Sequence, residues 1–410
     1  MSTFAAIDIG ATKVAVVVAE IEDADGPRLI GFGVAPNSGV KRGHVVDIER
    51  TARAVSDAIR KAESMSGRTI REVTVAISGD AIQSAPSRGL VPILNPSRTI
   101  TREDVHRVIN HSKQTPLAED RELILAVPRS YRVDGQGGVV RPVGMSGQRL
   151  EAETLLVTAP TTQLENFSKS VQEANASIES WVPKALASGE AVTTAGEREA
   201  GVAVIDLGGD STDVAVYIDG SVVFLKTLPV GAHHITSDIS VLLKTTVAEA
   251  ERLKIDAGAC GEVENDEAVY VEQSGTSQRR PFERRVLAEI ITARAREILF
   301  LAIDAIEEAV PTASLGSGLV ITGGGSKLSG LSELAKSLTA RTPVRLGVPE
   351  PFPGLGDLLA EPEFATSAGL LRFGVRLRDQ EGVAAETGDL RRLIKSFGSI
   401  FSTKGRDDGN

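Results

Sequence analysis

The chain has 410 residues, enough for two or three domains, and its 41% hydrophobic and 24% charged content is ordinary globular usage, which excludes wholesale disorder. Aromatics make up only 4%, so the core must rest on Val, Ile, Leu and Ala. A net charge of −10 excludes a general nucleic-acid binder, and the single Cys260 excludes an internal disulfide framework or a cysteine-rich zinc site and suits a reducing cytoplasm.

Residues 4–18 read as two strands joined by a Gly-Ala turn, and 28–36 as a third after the Gly26-Pro27 turn signal. Helical spacing of apolar residues predicts a helix over 49–65, and 73–78 returns to strand. Residues 83–160 differ in texture, with a helix at 101–112 and strands at 123–133 and 155–159. They read as a small α+β insertion. Helical connectors follow at 161–176 and 184–195.

Near residue 201 the opening script restarts. Strands at 202–206, 214–219 and 221–228 precede helices at 234–244, 247–255 and 285–308, with a strand pair near 263–272. A strand at 319–322 then runs into Gly323-Gly324-Gly325 and a helix at 331–338. The two copies align on Asp8-Ile9-Gly10 and Asp206-Leu207-Gly208, 198 residues apart, far beyond a solenoid period. The expected fold class is α/β, a duplicated domain with a cleft between its halves. The halves would comprise 1–82 with 161–200, and 201–378, the insertion being 83–160. No run reaches about 18 apolar residues and no basic stretch leads into an apolar one at the N-terminus, so neither a spanning helix nor a signal peptide is expected.

No P-loop and no strand–GxGxxG–helix unit is present. The duplicated Asp-x-Gly turns offer another phosphate chemistry, because glycine-containing hairpins present backbone N–H groups that no side chain screens. Asp8 and Asp206, at equivalent strand ends, would face each other across the cleft and hold a hydrated Mg²⁺. Lys13 would add a point charge, and Thr12 and Thr212 hydroxyl donors. A single Asp-x-Gly is a common turn; two at duplicate positions with a late strand–GGG–helix form one constellation.

These residues resemble the actin, sugar-kinase and heat-shock-chaperone ATPase superfamily, with its ribonuclease-H-like halves. Asp8–Lys13, including Gly10, is similar to the first phosphate motif. Asp206–Asp213, including Gly208, Gly209 and Thr212, is similar to the second, and Gly323-Gly324-Gly325-Ser326 to the adenosine motif. The resemblance also implies that Glu251 and Lys254 contact ribose and adenine, although by spacing alone they are an exposed helical ion pair. Two departures stand out. Asp210 occupies a glycine position of the second motif, where an ionised carboxylate about 4 Å from a phosphate costs roughly 4 kcal/mol at an effective dielectric near 20. It must point away, meet a cation or weaken binding. Where chaperone relatives carry Glu before the connecting helix, Val182 precedes Pro183 here, and Val cannot deprotonate water. ATP binding is expected, with weak or absent hydrolysis and no catalytic residue assigned.

Residues 379–389 read as a polar linker. Beyond it, in 390–404, Leu390, Leu393, Ile394, Phe397, Ile400 and Phe401 fall on one face of a helix, with Arg391, Arg392 and Lys395 opposite. Five basic and no acidic residues lie in 390–406, so residues 1–389 hold 40 bases against 53 acids, a net charge of −13. Thirteen helical residues span about 20 Å, too short to cross a bilayer core. The expectation is an interfacial helix on anionic lipids, the alternative a helix docked on the body.

Insertion, superfamily motifs and tail together resemble the family of the bacterial cell-division protein FtsA, most specifically at 31–43, 143–147, 226–238 and 361–374. The resemblance implies a relocated small subdomain at 83–160, self-assembly into actin-like filaments, and tethering of FtsZ polymers to the cytoplasmic face of the inner membrane at the division site. It also implies recruitment of later division proteins. Arg294 lies within the apolar stripe of the 285–308 helix. It either snorkels or engages a partner carboxylate. The family receives the FtsZ C-terminal tail in this region, about 235–310, which makes Arg294 and the neighbouring Arg296 the candidates. A pilus-assembly adaptor without the terminal helix and an ATP-dependent small-molecule kinase are the alternatives.

Overall fold

The computed structural model describes residues 2–22, 26–263, 268–275, 279–339 and 342–374, and the structural statements below concern those residues. Strands β1 (Ser2–Ile9), β2 (Lys13–Glu22) and β3 (Gly26–Pro36) form an antiparallel meander. Helix α1 (Ile48–Ser66) lies across it, capped by Asp47, which accepts from Arg50 N, and ended by Gly67 in the left-handed conformation. α1 approaches so closely that a Cβ on Gly33 would fall 2.0 Å from the Ala58 carbonyl oxygen. Strand β4 (Glu72–Ile77) then pairs parallel to β1.

The insertion is an antiparallel sheet of β5 (Gln83–Pro92), β6 (Arg121–Val133), β7 (Gln136–Val139) and β8 (Arg149–Pro160), in the order β5-β8-β6-β7, with α2 (Arg102–Ser112) packed on it. It has its own core, which includes Val91, Ile100, Val108, Val133 and Leu150. The chain returns through α3 (Thr161–Glu173) to β9 (Ser177–Pro183), completing a first sheet ordered β9-β4-β1-β2-β3. The connector expected at 184–195 is two helices, α4 (Lys184–Val192) and α5 (Ala195–Ala200). Thr194 divides them, because it forms a capping box with Glu197.

The second half repeats the plan. Strands β10 (Val202–Leu207), β11 (Thr212–Ile218) and β12 (Ser221–Leu228) are antiparallel. Helices α6 (Ala232–Leu242) and α7 (Val247–Ala257), the hairpin β13 (Ala268–Glu272) and β14 (Arg279–Glu283), and α8 (Arg284–Ala309) follow. Strands β15 (Gly318–Thr322) and β16 (Val344–Leu346) flank α9 (Leu331–Leu338) and complete the second sheet, β12-β11-β10-β15-β16. The pairing registers of the two halves coincide. Asp8 faces Ala15 and Ile9 faces Val14, while 198 positions later Asp206 faces Asp213 and Leu207 faces Thr212. Both sheets are mixed, and each first strand ends at the same point between the halves. The expected linker and helix at 379–404, with Leu390, Arg391, Arg392, Leu393, Ile394, Lys395, Phe397, Ile400 and Phe401, lie outside the described residues.

Candidate functional site

Both Asp-x-Gly turns close in one way: Gly10 N donates to Lys13 O at 2.8 Å, and Gly208 N to Ser211 O at 2.9 Å. They open on one cavity, lined from the first half by Asp8, Gly10, Thr12 and Lys13 and from the second by Asp206, Gly208, Gly209 and Asp213. Gly323 and Gly324 line it as well. Gly323 has φ +86°, and a Cβ there would lie 2.2 Å from Asp206 Oδ1. The glycine is what leaves room for that carboxylate.

Three acids at the floor are buried: Asp8, Asp206 and Asp213. Asp213 joins the halves, accepting from Ser78 Oγ at 2.8 Å and from Thr227 Oγ1 at 2.6 Å. Asp206 accepts from Thr366 Oγ1 at 3.2 Å. Burial, then the negative charge of Asp213, pushes Asp206 up to about 7. Burial also raises Asp213, against the hydrogen bond from Thr227. Lys184, first residue of α4, reaches into the same cavity with Nζ 2.5 Å from Asp8 Oδ1. Burial alone would lower that lysine, but Asp8, with Asp213 and Asp206 behind it, raises it instead.

The remaining candidates divide. Lys13 lines the cavity, yet its ammonium is ion-paired to Glu363 and lies 3.9 Å from the centroid of the Phe364 ring. Asp210 is hydrogen-bonded at 2.6 Å to His233 Nδ1. Its partial burial works against ionisation, but the His233 contact prevails and holds the carboxyl below its ordinary range. Asp210 lines the cavity and so does not point away from it; its carboxylate meets His233 there. Thr212 is fully buried and donates to Val230 O at 2.7 Å, so its hydroxyl serves the second half. Ser326 donates to Gly323 O at 2.7 Å and braces that glycine, and a Cβ on Gly325 would lie 2.5 Å from Leu207 Cγ. Glu251 and Lys254 pair at 2.8 Å and both meet Thr236 of α6. Neither lines the cavity.

Sequence reasoning missed Lys184, Ser78, Glu363 and Thr366. Val182, at the position where chaperone relatives carry Glu, is fully buried in the core; the side chain that enters the cleft stands two positions later. A charged residue directly after the strand-ending Pro183 was the available signal. Arg294 does not simply snorkel. Its guanidinium grips Asp238 of α6 at 2.6 and 3.1 Å and Glu297 at 2.7 Å, while Arg296 is exposed.

Family models for "Cell division protein FtsA" and "SHS2 domain inserted in FTSA" match residues 203–369 and 79–158. The chain is 35% identical over 374 residues to the FtsA of Neisseria meningitidis, covering 90% of each chain. It is 34% identical over 402 residues to that of Escherichia coli K12, covering 96% of this chain and 94% of the relative. Among solved structures, a PilM-PilN type IV pilus biogenesis complex matches with TM-score 0.64 at 17% identity, over 91% of this chain and 98% of that one. MreB5 of Spiroplasma citri bound to ADP matches with TM-score 0.57 at 13% identity, over 94% and 99%. These likenesses establish an actin-like fold of two mixed sheets, and the sequence relatives establish the family. The chain belongs to the cell division protein FtsA family, with an SHS2 domain inserted in its first half.

Proposed function

We propose that this cell-division chain binds ATP between its two halves and tethers FtsZ polymers to the inner face of the cytoplasmic membrane, assembling with copies of itself and recruiting later division proteins. The observation that carries the nucleotide half of this reading is the pair of Asp-x-Gly turns, matched in register and turn hydrogen bond, that face one cavity. The fold neighbours include an MreB5 bound to ADP and another bound to AMPPNP. A double helical filament of MamK is a further neighbour, with TM-score 0.52 at 11% identity over 91% of this chain and 98% of that one.

The residues fit a nucleotide with a sparsely held cation. Among the described residues no group of three His, Cys, Asp or Glu converges to hold a metal unaided. Mg²⁺ needs no such cage, since one or two carboxylates and substrate phosphates suffice. Asp8 is engaged by Lys184 and Asp213 by two hydroxyls at 2.8 and 2.6 Å, whereas Asp206 accepts a longer bond from Thr366 at 3.2 Å, which makes Asp206 the carboxylate best placed for it. When bound, the metal would offset phosphate charge. The chain's own part is to approach the phosphates through Gly10, Gly208 and Gly209 and to close the floor with the Ser78–Asp213 bond. Where chaperone relatives carry Glu, the buried Val182 cannot act as a general base, which supports slow hydrolysis.

For FtsZ, the supporting feature is Arg294 on α8, held at the surface by Asp238 rather than sunk in the core. Asp238, Val241 and Leu242 recur along one side of α6, and the latter two are exposed. An acidic, apolar tail would exchange for Asp238 on the guanidinium while covering these side chains. Membrane contact is proposed for 390–404 on its basic, amphipathic sequence pattern; among the described residues no helix is long and apolar enough to cross a membrane. The test is binding of an FtsZ C-terminal tail peptide to the full chain. Arg294→Glu is expected to weaken it at least tenfold, about 1.4 kcal/mol, and unchanged affinity would remove Arg294 from the site.

A further inference from the structure

Lys184 has no counterpart in the motifs that identify the cleft. It follows Pro183 and opens α4, with an ammonium 2.5 Å from Asp8 Oδ1 and a side chain only 13% exposed. Two general effects oppose a lysine there. It stands at the positive end of a helix, and burial strips its hydration. Asp8 itself lines the cavity, so its partner does not turn away into the core. Lys184 lines the cavity beside Asp206, Asp213 and both phosphate-turn glycines, and a Cβ on Gly10 would lie 3.8 Å from its Nζ. The other lysine of the cavity wall, Lys13, is held by Glu363 and Phe364. A divalent cation at Asp8 would meet a fixed positive charge already in contact with that carboxylate, and like charges at such range repel strongly.

We propose that Lys184 is a phosphate-binding residue and a built-in counter-ion of the cleft, so that this chain holds ATP with little dependence on divalent metal. The inference rests on the nucleotide reading above. Asp206 remains for a metal, which would add little affinity; Lys184, although paired with Asp8, already places a positive charge against the phosphates. Removing the ammonium would leave the acids of Asp8, Asp206 and Asp213 facing the phosphates, and binding would then require a metal.

Calorimetric titration of the full chain with ATP, in excess Mg²⁺ and in EDTA, tests this. For the unaltered chain the ratio of Kd in EDTA to Kd in Mg²⁺ is expected to stay below about fivefold; a larger ratio overturns the proposal. Lys184→Met keeps the length of the side chain and removes the charge. Its ratio should exceed that of the unaltered chain by about threefold or more, and any smaller difference also overturns the proposal. A purely structural lysine would alter stability and both Kd values, but not their ratio. Should Lys184→Met fail to fold, the unaltered chain decides on its own ratio. Absence of ATP binding in both buffers overturns the nucleotide reading as well, whereas binding lost only in EDTA overturns the Lys184 assignment alone.

Discussion

Asp206 carries a cost that its neighbours only partly offset. Its folded-state value of about 7 lies above the ordinary 3.8, so the fold binds its proton more tightly than the unfolded chain does. The resulting stability is fully present below 3.8 and is lost as pH rises towards 7. Asp206→Asn removes the titration. Between pH 5 and pH 8 the variant should gain on the parent by roughly 2–3 kcal/mol at most, at about 1.4 kcal/mol per pH unit. Urea unfolding of the nucleotide-free chain at both values reads this, and parallel pH profiles for the two would contradict it. The sequence made the two aspartates and the glycine turns legible because they repeat. It flagged Asp210 as out of pattern but held no sign of the answer, since His233 comes from the following helix 23 positions on. Lys184 escaped for a like reason: its meaning depends on where β9 ends, and β9 itself went unread.

Periodicity revealed the elements whose two faces differ chemically. α1 and α8 showed their stripes because one side of each is buried, whereas the hairpins of both halves showed their strands as short apolar runs buried on both faces. β5 and β9 did not. Pro86 and Gly89 interrupt β5, which the sheet tolerates because β5 is an edge strand. β9, also at an edge, mixes Ser and Glu among its apolar positions. Glycines at helix–sheet contacts were equally silent, although they set the distance between layers. Gly33→Ala forces a methyl group to within 2.0 Å of the Ala58 carbonyl, so α1 must shift, at about 1–3 kcal/mol or more. Gly196→Ala in α5, where nothing lies within 4 Å, is the control and should cost nothing. Denaturant midpoints compare the two, and equal stability would show that α1 does not pack this tightly on β3.

The whole chain divides by charge: a net −13 over residues 1–389 and five bases without an acid over 390–406. The acidic body is repelled by anionic lipid, which leaves the basic segment as the expected contact. A single interfacial helix is a weak anchor, so assembly of copies would raise avidity and couple membrane attachment to polymer formation. On the proposed reading, tethering would require both the second-half helix that carries Arg294 and the basic segment 390–404. The most direct measurement is co-sedimentation of FtsZ polymers with anionic vesicles in the presence of ATP and either the full chain or one truncated after Glu386. The full chain should carry FtsZ into the vesicle pellet and the truncated chain should leave it in the supernatant. Equal FtsZ in both pellets would contradict the account.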